Sequence, residues 1–278
     1  MKEKLDSLCD LHIHSNFSDS DMDLESIFTQ ASAKKLRCIA ITDHDTVDAI
    51  GPARLYSKTH NIELIEGIEL SAQHEEVEIH ILGYFIDSEN KKLRDELANI
   101  KELRRERLID MATVLNSLGV KVEKDELLSK IVTNMPTRLH LGLYLVEKGI
   151  TKSLREAFKK YLSPGKPAYK ARFKYSVKEA AELIKLCGGL SFLAHPHMIP
   201  NQSWVEKFIS FGVDGLELVY PNMSQQKHNF YQEMILKHKL LRSGGSDAHG
   251  SYKEFTQIGS VTIPYAWVLD MRERIAER

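Results

Sequence analysis

The stretch from Cys9 to Asp19, Cys-Asp-Leu-His-Ile-His-Ser-Asn-Phe-Ser-Asp, constrains this chain more than any other. His12 and His14 stand two apart in a run that reads as a β-strand. Strand side chains alternate faces, so both imidazoles aim the same way, at a separation one metal ion can use. Taken alone, that pair is no more than a polar strand face. Further on, however, similar groups recur within or just after apolar, β-branched runs. Asp43-His44-Asp45 follows residues 37–42, Glu66 and Glu69 lie in 62–70, and His80 lies in 77–86. His195 follows 190–194, and Asp247 and His249 follow 240–243.

These strand-like runs, with a first at 7–14, another at 215–219 and one further at 258–263, alternate with helical patterns at 23–35, 48–59, 176–186, 202–210 and 224–239 and with a terminal helix. Alternation of this kind predicts βα units, hence an α/β fold with a mainly parallel sheet. The carboxyl ends of such strands face one side, which gathers groups distant in sequence into one pocket. Ser176 followed by Glu179 predicts a capped helix start. Residues 89–165 differ in character. Leu93, Leu97, Ile100, Leu103, Met111, Val114 and Leu118 recur at helical steps until Gly119, and no clear strand follows before Ser163-Pro164-Gly165. The expected organisation is a discontinuous barrel domain, 1–88 and 166–278, with an all-helical insertion or lid at 89–165. The basic cluster Lys101, Arg104, Arg105 and Arg107 is expected to be a solvated helix face, the alternative being a role in holding substrate.

A chain of 278 residues can build one such barrel with an insertion. With 42% hydrophobic and 28% charged residues it reads as an ordinary globular protein, and no apolar run approaches the roughly 20 residues of a membrane span. The Met1-Lys2-Glu3-Lys4 start is polar, so a cytoplasmic protein without a secretion signal is expected. Cys9, Cys38 and Cys187 lack metal-like or disulfide-like spacing and are read as buried thiols. The net charge of -1 argues against a protein that scans long nucleic acid, whereas phosphate substrates stay open because bound cations supply local positive charge. No membrane contact and no obligate protein partner are expected.

Nine groups make up the candidate centre: His12, His14, Asp19, His44, Glu69, His80, His195, Asp247 and His249. One ion takes four to six ligands, so two or three divalent metals are expected. Imidazole mixed with carboxylate and no thiolate fits manganese, iron or zinc better than calcium, and ligand type does not choose among the three. No Gly-x-Ser-x-Gly elbow, Walker glycine loop or His-Glu-x-x-His helix is present. That absence agrees with chemistry needing no covalent nucleophile: metal-bound water, deprotonated to hydroxide near neutral pH, attacks while clustered ions are able to hold phosphoryl oxygens. Asp10 and Asp43 adjoin proposed ligands and are candidates to orient imidazoles; Asp43 could instead end its strand and cap the next turn. Arg138 is the first candidate for gripping a phosphate, the alternative being a surface arginine. His197 could contact substrate and assist the leaving group, or merely stabilise the loop after Pro196. His60, His74, His228 and His238 are read as ordinary.

Several separated motifs then carry a family resemblance. His12-Ile13-His14 with Asp19, Asp43-His44-Asp45, Gly67-Ile68-Glu69, Ile79-His80-Ile81-Leu82-Gly83, Ala194-His195-Pro196 and Ser246-Asp247-Ala248-His249 resemble the polymerase and histidinol phosphatase (PHP) superfamily, in the family order and over almost the whole chain. Within the insertion, residues 136–141 and 166–169 resemble the stand-alone bacterial branch, whose members act as nucleotide phosphatases and as exonucleases on short RNA. The resemblance implies a distorted TIM-like barrel of seven strand-helix units and a trinuclear centre. His12, His14, Glu69 and Asp247 would hold the first metal and Asp19, His44 and His249 the second. Glu69, His80 and His195 would hold the third, with Glu69 bridging. Ser20-Asp21 stands where the family commonly has a glycine after the aspartate, which leaves Asp21 as an alternative ligand to Asp19. The function implied is a metal-dependent phosphoesterase acting on small nucleotides, such as a 3',5'-nucleoside bisphosphate, or on the ends of short oligoribonucleotides. A histidinol phosphate phosphatase with the same centre and a non-catalytic metal-binding module are the alternatives.

Overall fold

The computed structural model describes residues 8–131, 135–171, 175–253 and 256–278. The polar start Met1–Lys4 and the first residue of the predicted opening strand, Ser7, lie outside them. Strands β1 (Leu8–Ile13), β2 (Cys38–Ile41) and β3 (Glu63–His74) alternate with helices α1 (Leu24–Ala33) and α2 (Ile50–His60). Strand β4 (Val77–Tyr84) then leads into the long α3 (Lys91–Ser117), followed by α4 (Lys124–Ser129), α5 (Arg138–Glu147) and the short α6 (Leu154–Ala157). The alternation resumes after β5 (Tyr175–Ser176) with α7 (Val177–Leu186), β6 (Leu190–Leu193), α8 (Ser203–Ser210), β7 (Gly215–Val219), α9 (Gln225–His238) and β8 (Leu241–Gly244). The chain closes with β9 (Ile263–Pro264) and α10 (Tyr265–Ala276). Asp23 caps α1, and Ser176 with Glu179 forms the capping box expected for α7.

The strands run in the order β8-β7-β6-β4-β3-β2-β1-β9, with the short β5 beside β3. Seven of them wrap into a nearly closed barrel. Beyond its last paired strand the chain returns along β1: Ile13 and Ala248 form a parallel bridge, and the His14 N–H donates to the Ala248 carbonyl at 3.0 Å. The sheet is not uniformly parallel, because β4 runs antiparallel to both β3 and β6. A tight turn with Glu75 in the left-handed region (φ 53°) joins β3 to β4. Residues 258–263, expected to be a strand, reduce to Ile263 and Pro264, which pair with Cys9 and Leu8.

The apolar residues form two layers around the sheet. Cys9, Leu11, Ala40, Ile65, Leu82 and Phe192 pack inside the barrel, where Tyr265, Val268 and Met271 of α10 join them at the end opposite His12 and His14. The alternate positions, among them Ile39, Ile68, Ile81 and Leu216, meet the apolar faces of the outer helices. A third cluster, Leu108 to Leu115 of α3 with Leu141 and Leu145 of α5, belongs to the helical insertion. Helix α3 serves two cores, since Leu93, Leu97 and Ile100 pack against the barrel. All three cysteines are buried free thiols.

Between Asp10 and Ile13 the pairing of β1 with β2 slips by one residue, a β-bulge. Cys9 and His12 are three apart, which a regular strand would place on opposite faces. The bulge absorbs that mismatch and lets both face the interior.

Closure of the barrel depends on a close approach at Gly245. A Cβ there would lie 2.4 Å from the His12 nitrogen and 2.8 Å from Asp10 Oδ1. Gly245→Ala should therefore cost about 1–3 kcal/mol through overpacking, whereas Gly51→Ala, with nothing within 4 Å of the added methyl, should not. Thermal denaturation of the two variants should show a drop of several degrees for the first only.

Candidate metal centre

The nine predicted groups converge at the mouth of the barrel, and Glu69 stands in the middle of them. One carboxylate oxygen, Oε2, lies 3.4 Å from His12 Nε2, 3.1 Å from His14 Nε2 and 3.2 Å from His44 Nδ1. The other, Oε1, lies 3.0 Å from His80 Nδ1 and 3.1 Å from His195 Nε2. Asp247 Oδ1 lies 3.3–3.5 Å from His12, His14 and His249. Asp19 lies 3.4–3.6 Å from His14, His44 and His249. Donors about 2.1 Å from a shared ion, at tetrahedral to octahedral angles, sit about 3.0–3.4 Å from one another. The spacing found here is close to that of a ligand shell.

Local backbone explains how so many groups reach one place. His12 lies within the bulge of β1 and His14 directly follows that strand. Glu69 and His80 each lie within a strand, on the inner face of the antiparallel pair, where Glu69 opposes Leu82 and Ser71 opposes His80. His44 follows β2 and bridges to Glu69. His195 and Asp247 hold left-handed backbone (φ 29° and 51°), a conformation unfavourable for residues with a Cβ that recurs at functional sites. Asp21 takes no part in the cluster, since its carboxylate accepts the Ser251 N–H at 2.9 Å.

The residues fit metal ions on their own evidence. Among the described residues, five buried imidazole nitrogens of the cluster have no hydrogen-bond partner: His12 Nε2, both nitrogens of His14, His44 Nδ1 and His80 Nε2. Each unsatisfied buried group costs about 1–3 kcal/mol, so five in one site call for a ligand. Three groupings lie close enough to share an ion: His14, Asp19, His44 and His249; His12, His14 and Asp247; and His44, Glu69 and His80. Burial alone would raise the pKa of Glu69, but His44, His80 and His12 outweigh it and hold the carboxyl well below its usual range. Asp19 and Asp247 are depressed likewise against burial, by His44 and His249 in one case and by His12, Lys253 and His249 in the other. Burial pushes the His44 imidazole down to about 3 despite Asp19 and Glu69. It is outweighed at His14, which rises to about 9 through Asp247 and Glu69, and at His80, which rises to about 10 through Glu69 and Glu78.

Around the cluster, Tyr220 and Lys253 donate to Asp247 Oδ2, the hydroxyl at 2.6 Å. Asp43 accepts the Ser15 N–H at 2.8 Å and the Ser15 and Ser18 hydroxyls, bracing the loop that carries Asp19. Asp10 accepts the N–H groups of Ser246 and Gly259, which ties the closing segment to β1. Sequence reasoning missed Glu217, whose Oε1 lies 2.8 Å from His12 Nδ1. Its signal was a carboxylate flanked by leucines in the middle of a buried strand.

Facing the cluster is a chamber of about 420 Å³, walled partly by the helical insertion. Arg104, Arg107, Arg138, Arg155 and Lys253 line it together with Leu139 and Phe158. The expectation that residues 101–107 form a solvated face is corrected for two of the four. Arg104 is buried and donates to Asp45 Oδ2 (2.5 and 2.8 Å), to Ser71 and to the Pro136 carbonyl. Arg107 is buried too and donates to the Lys170 carbonyl. Both follow Ile100 at helical spacing, so the apolar stripe of α3 continues through two arginines. Arg138, at the start of α5, holds Glu78 Oε2 at 2.7 Å. His197 is not part of the chamber wall; its ring packs against Tyr220 with centroids 4.8 Å apart, which lends no support to a role at the leaving group.

Comparison with known proteins agrees with this geometry. The PHP domain family matches residues 10–206. The chain is 31% identical over 245 residues to a 5'-3' exoribonuclease of Haemophilus influenzae, covering 86% of this chain and 89% of that one. It is 30% identical over 246 residues to a 3',5'-nucleoside bisphosphate phosphatase of Chromobacterium violaceum, covering 86% of each. A solved structure from Bifidobacterium adolescentis, provisionally described as a metal-dependent phosphoesterase, superposes with a TM-score of 0.87 at 26% identity, covering 96% of both chains.

At pH 7 imidazoles with pKa values of about 9 and 10 carry protons, and a metal must displace them to bind. His12 is likewise held well above its usual range by Glu217, Asp247 and Glu69, so loading the metal-free protein at that pH should release two to three protons per chain, read by calorimetry in buffers of different ionisation enthalpy.

Proposed function

The chain belongs to the PHP domain family, and from that premise we propose that it is a metal-dependent phosphoesterase that hydrolyses small nucleotides or the ends of short oligoribonucleotides. The observation that carries this reading is the opposition, across one chamber, of an imidazole–carboxylate cluster and four arginines. The chamber volume falls within the roughly 300–1,000 Å³ of small-ligand sites, which suits a mononucleotide or the terminal residue of a strand. The activities of the two curated relatives supply the substrate class: a 3',5'-nucleoside bisphosphate in one, RNA attacked from its 5' end in the other.

In this reading the centre holds two or three divalent ions, manganese first among the candidates and iron or zinc after it. His12, His14, Glu69 and Asp247 would hold one, Asp19, His44 and His249 a second, and Glu69, His80 and His195 a third. When bound, such ions acidify a water molecule and neutralise phosphoryl oxygens, so no protein nucleophile is needed. The chain itself supplies position and charge. Arg138 projects its guanidinium into the chamber and can hold two phosphate oxygens at once. Arg104, fixed by Asp45 and Ser71, adds a positive charge that cannot swing away. Lys253 reaches the chamber from the opposite side while bound to Asp247. The apolar surfaces of Leu139 and Phe158 give a base something other than water to lie against.

Protein loaded with manganese should release phosphate from a nucleoside 3',5'-bisphosphate or shorten a 5'-phosphorylated oligoribonucleotide. Failure on both with metal bound, together with turnover of histidinol phosphate, would move the assignment to the alternative phosphatase. His14→Ala, which removes a ligand shared by two of the groupings, should lower turnover at least a thousandfold with an unchanged circular dichroism spectrum; a folded variant that keeps its activity would leave only the non-catalytic reading of the metals. Arg138→Ala should raise KM roughly 10- to 100-fold, since hydrogen bonds to charged groups contribute about 1.5–3 kcal/mol, and should change kcat less.

A further inference from the structure

We propose that Glu217 is a positioning residue that presents two imidazoles to the metals: it fixes the tautomer of His12 and clamps the strained backbone of His195. The proposal rests on the metal-centre reading above. Glu217 lies on β7, fully buried on the inner face of the barrel. Its two oxygens are divided between two parts of the centre. Oε1 lies 2.8 Å from His12 Nδ1, and Oε2 accepts the backbone N–H of His195 at 2.6 Å.

A buried carboxylate only accepts, so His12 carries its proton on Nδ1 and turns Nε2 towards the cluster. That nitrogen is buried, has no hydrogen-bond partner and points at Glu69 Oε2 (3.4 Å) and Asp247 Oδ1 (3.5 Å). With the opposite tautomer, the lone pair would face Glu217 and the site would lose a ligand. His195 raises a different problem. It holds φ 29°, ψ 56° immediately before Pro196, and left-handed backbone is unfavourable for a residue with a Cβ. A residue before proline is further biased towards extended backbone. The bond from its N–H to Glu217 holds the peptide in that turn and leaves its Nε2 3.1 Å from Glu69 Oε1. One carboxylate thus sets the aim of ligands on two sides of the bridging Glu69.

Glu217→Gln separates this role from a merely structural one. The amide keeps the shape, yet whichever way it turns only one of the two N–H donors still finds an oxygen. Either His12 gives up its Nδ1–H tautomer or the His195 peptide faces an NH₂ group. The variant should fold with wild-type circular dichroism and bind zinc 10- to 100-fold more weakly at one equivalent, the usual effect of losing such an outer partner. Metal analysis after dialysis against graded zinc concentrations would show it. In the zinc-loaded wild-type protein labelled with ¹⁵N at histidine, the His12 resonances should show a proton on Nδ1 and metal on Nε2, a readout that does not depend on the variant folding. Wild-type zinc stoichiometry and affinity in a folded Glu217→Gln protein, or His12 bound through Nδ1, would overturn the proposal while leaving the centre standing. A wild-type protein that takes up no zinc, manganese or iron would instead overturn the centre itself, and the proposal with it.

Discussion

Everything at the mouth of this barrel depends on a single carboxylate shared among five imidazoles. Glu69 is buried, and the nitrogens of His12, His14, His44, His80 and His195 stand 3.0–3.4 Å from its two oxygens. One negative charge cannot compensate that many donors in a site shielded from water, and several of them lack any hydrogen bond. The arrangement makes chemical sense when cations stand between the groups, because each unpaired nitrogen then becomes a ligand and the carboxylate a bridge. Asp19 and Asp247 extend the same logic on either side.

The barrel pays for this convergence with three local irregularities. The bulge in β1 shifts the phase of the strand so that Cys9 packs in the interior and His12 still faces the site. The hairpin between β3 and β4 reverses one strand, so that His80 is delivered from the middle of its strand rather than from its carboxyl end. Left-handed turns at His195 and Asp247 point two more side chains inwards. A regular parallel barrel brings groups from strand ends to a common rim. Here the departures from regularity let additional groups reach a point inside that rim.

Much of this was legible in the sequence, for a definite reason. Apolar runs of four to eight residues, each carrying or followed by a His or an acid, are strong signals, and the strands at 8–13, 38–41, 190–193 and 215–219 lie where those runs predict. The nine cluster residues were found because each is chemically conspicuous. What was hidden depended on partners distant in the chain. Antiparallel pairing of β4 follows from a two-residue turn with no glycine. Glu217 looked like one more residue of a buried strand, since its meaning comes from His12 and His195 on other elements. Arg104 and Arg107 belonged to a run of charge that by default faces water. Asp45, which makes Arg104 an interior residue, lies in the barrel and not in the insertion.

That buried pair also shapes the argument about substrate. Asp45 follows β2 and Arg104 lies on α3, so their contact fastens the helical insertion to the loop that carries His44. A buried ion pair adds little net stability but is costly to break, so it fixes geometry. The contact ties α3 to that loop, and the arginines of the helical segment face the cluster across the chamber. The overall charge of -1 conceals a chamber with an acidic and imidazole cluster on one side and four arginines around it, two of them paired with Asp45 and Glu78. A ligand that satisfies both must carry negative charge at two separated points and be short enough to lie between them. A nucleotide with more than one phosphate, or the phosphorylated end of a short strand, meets both conditions.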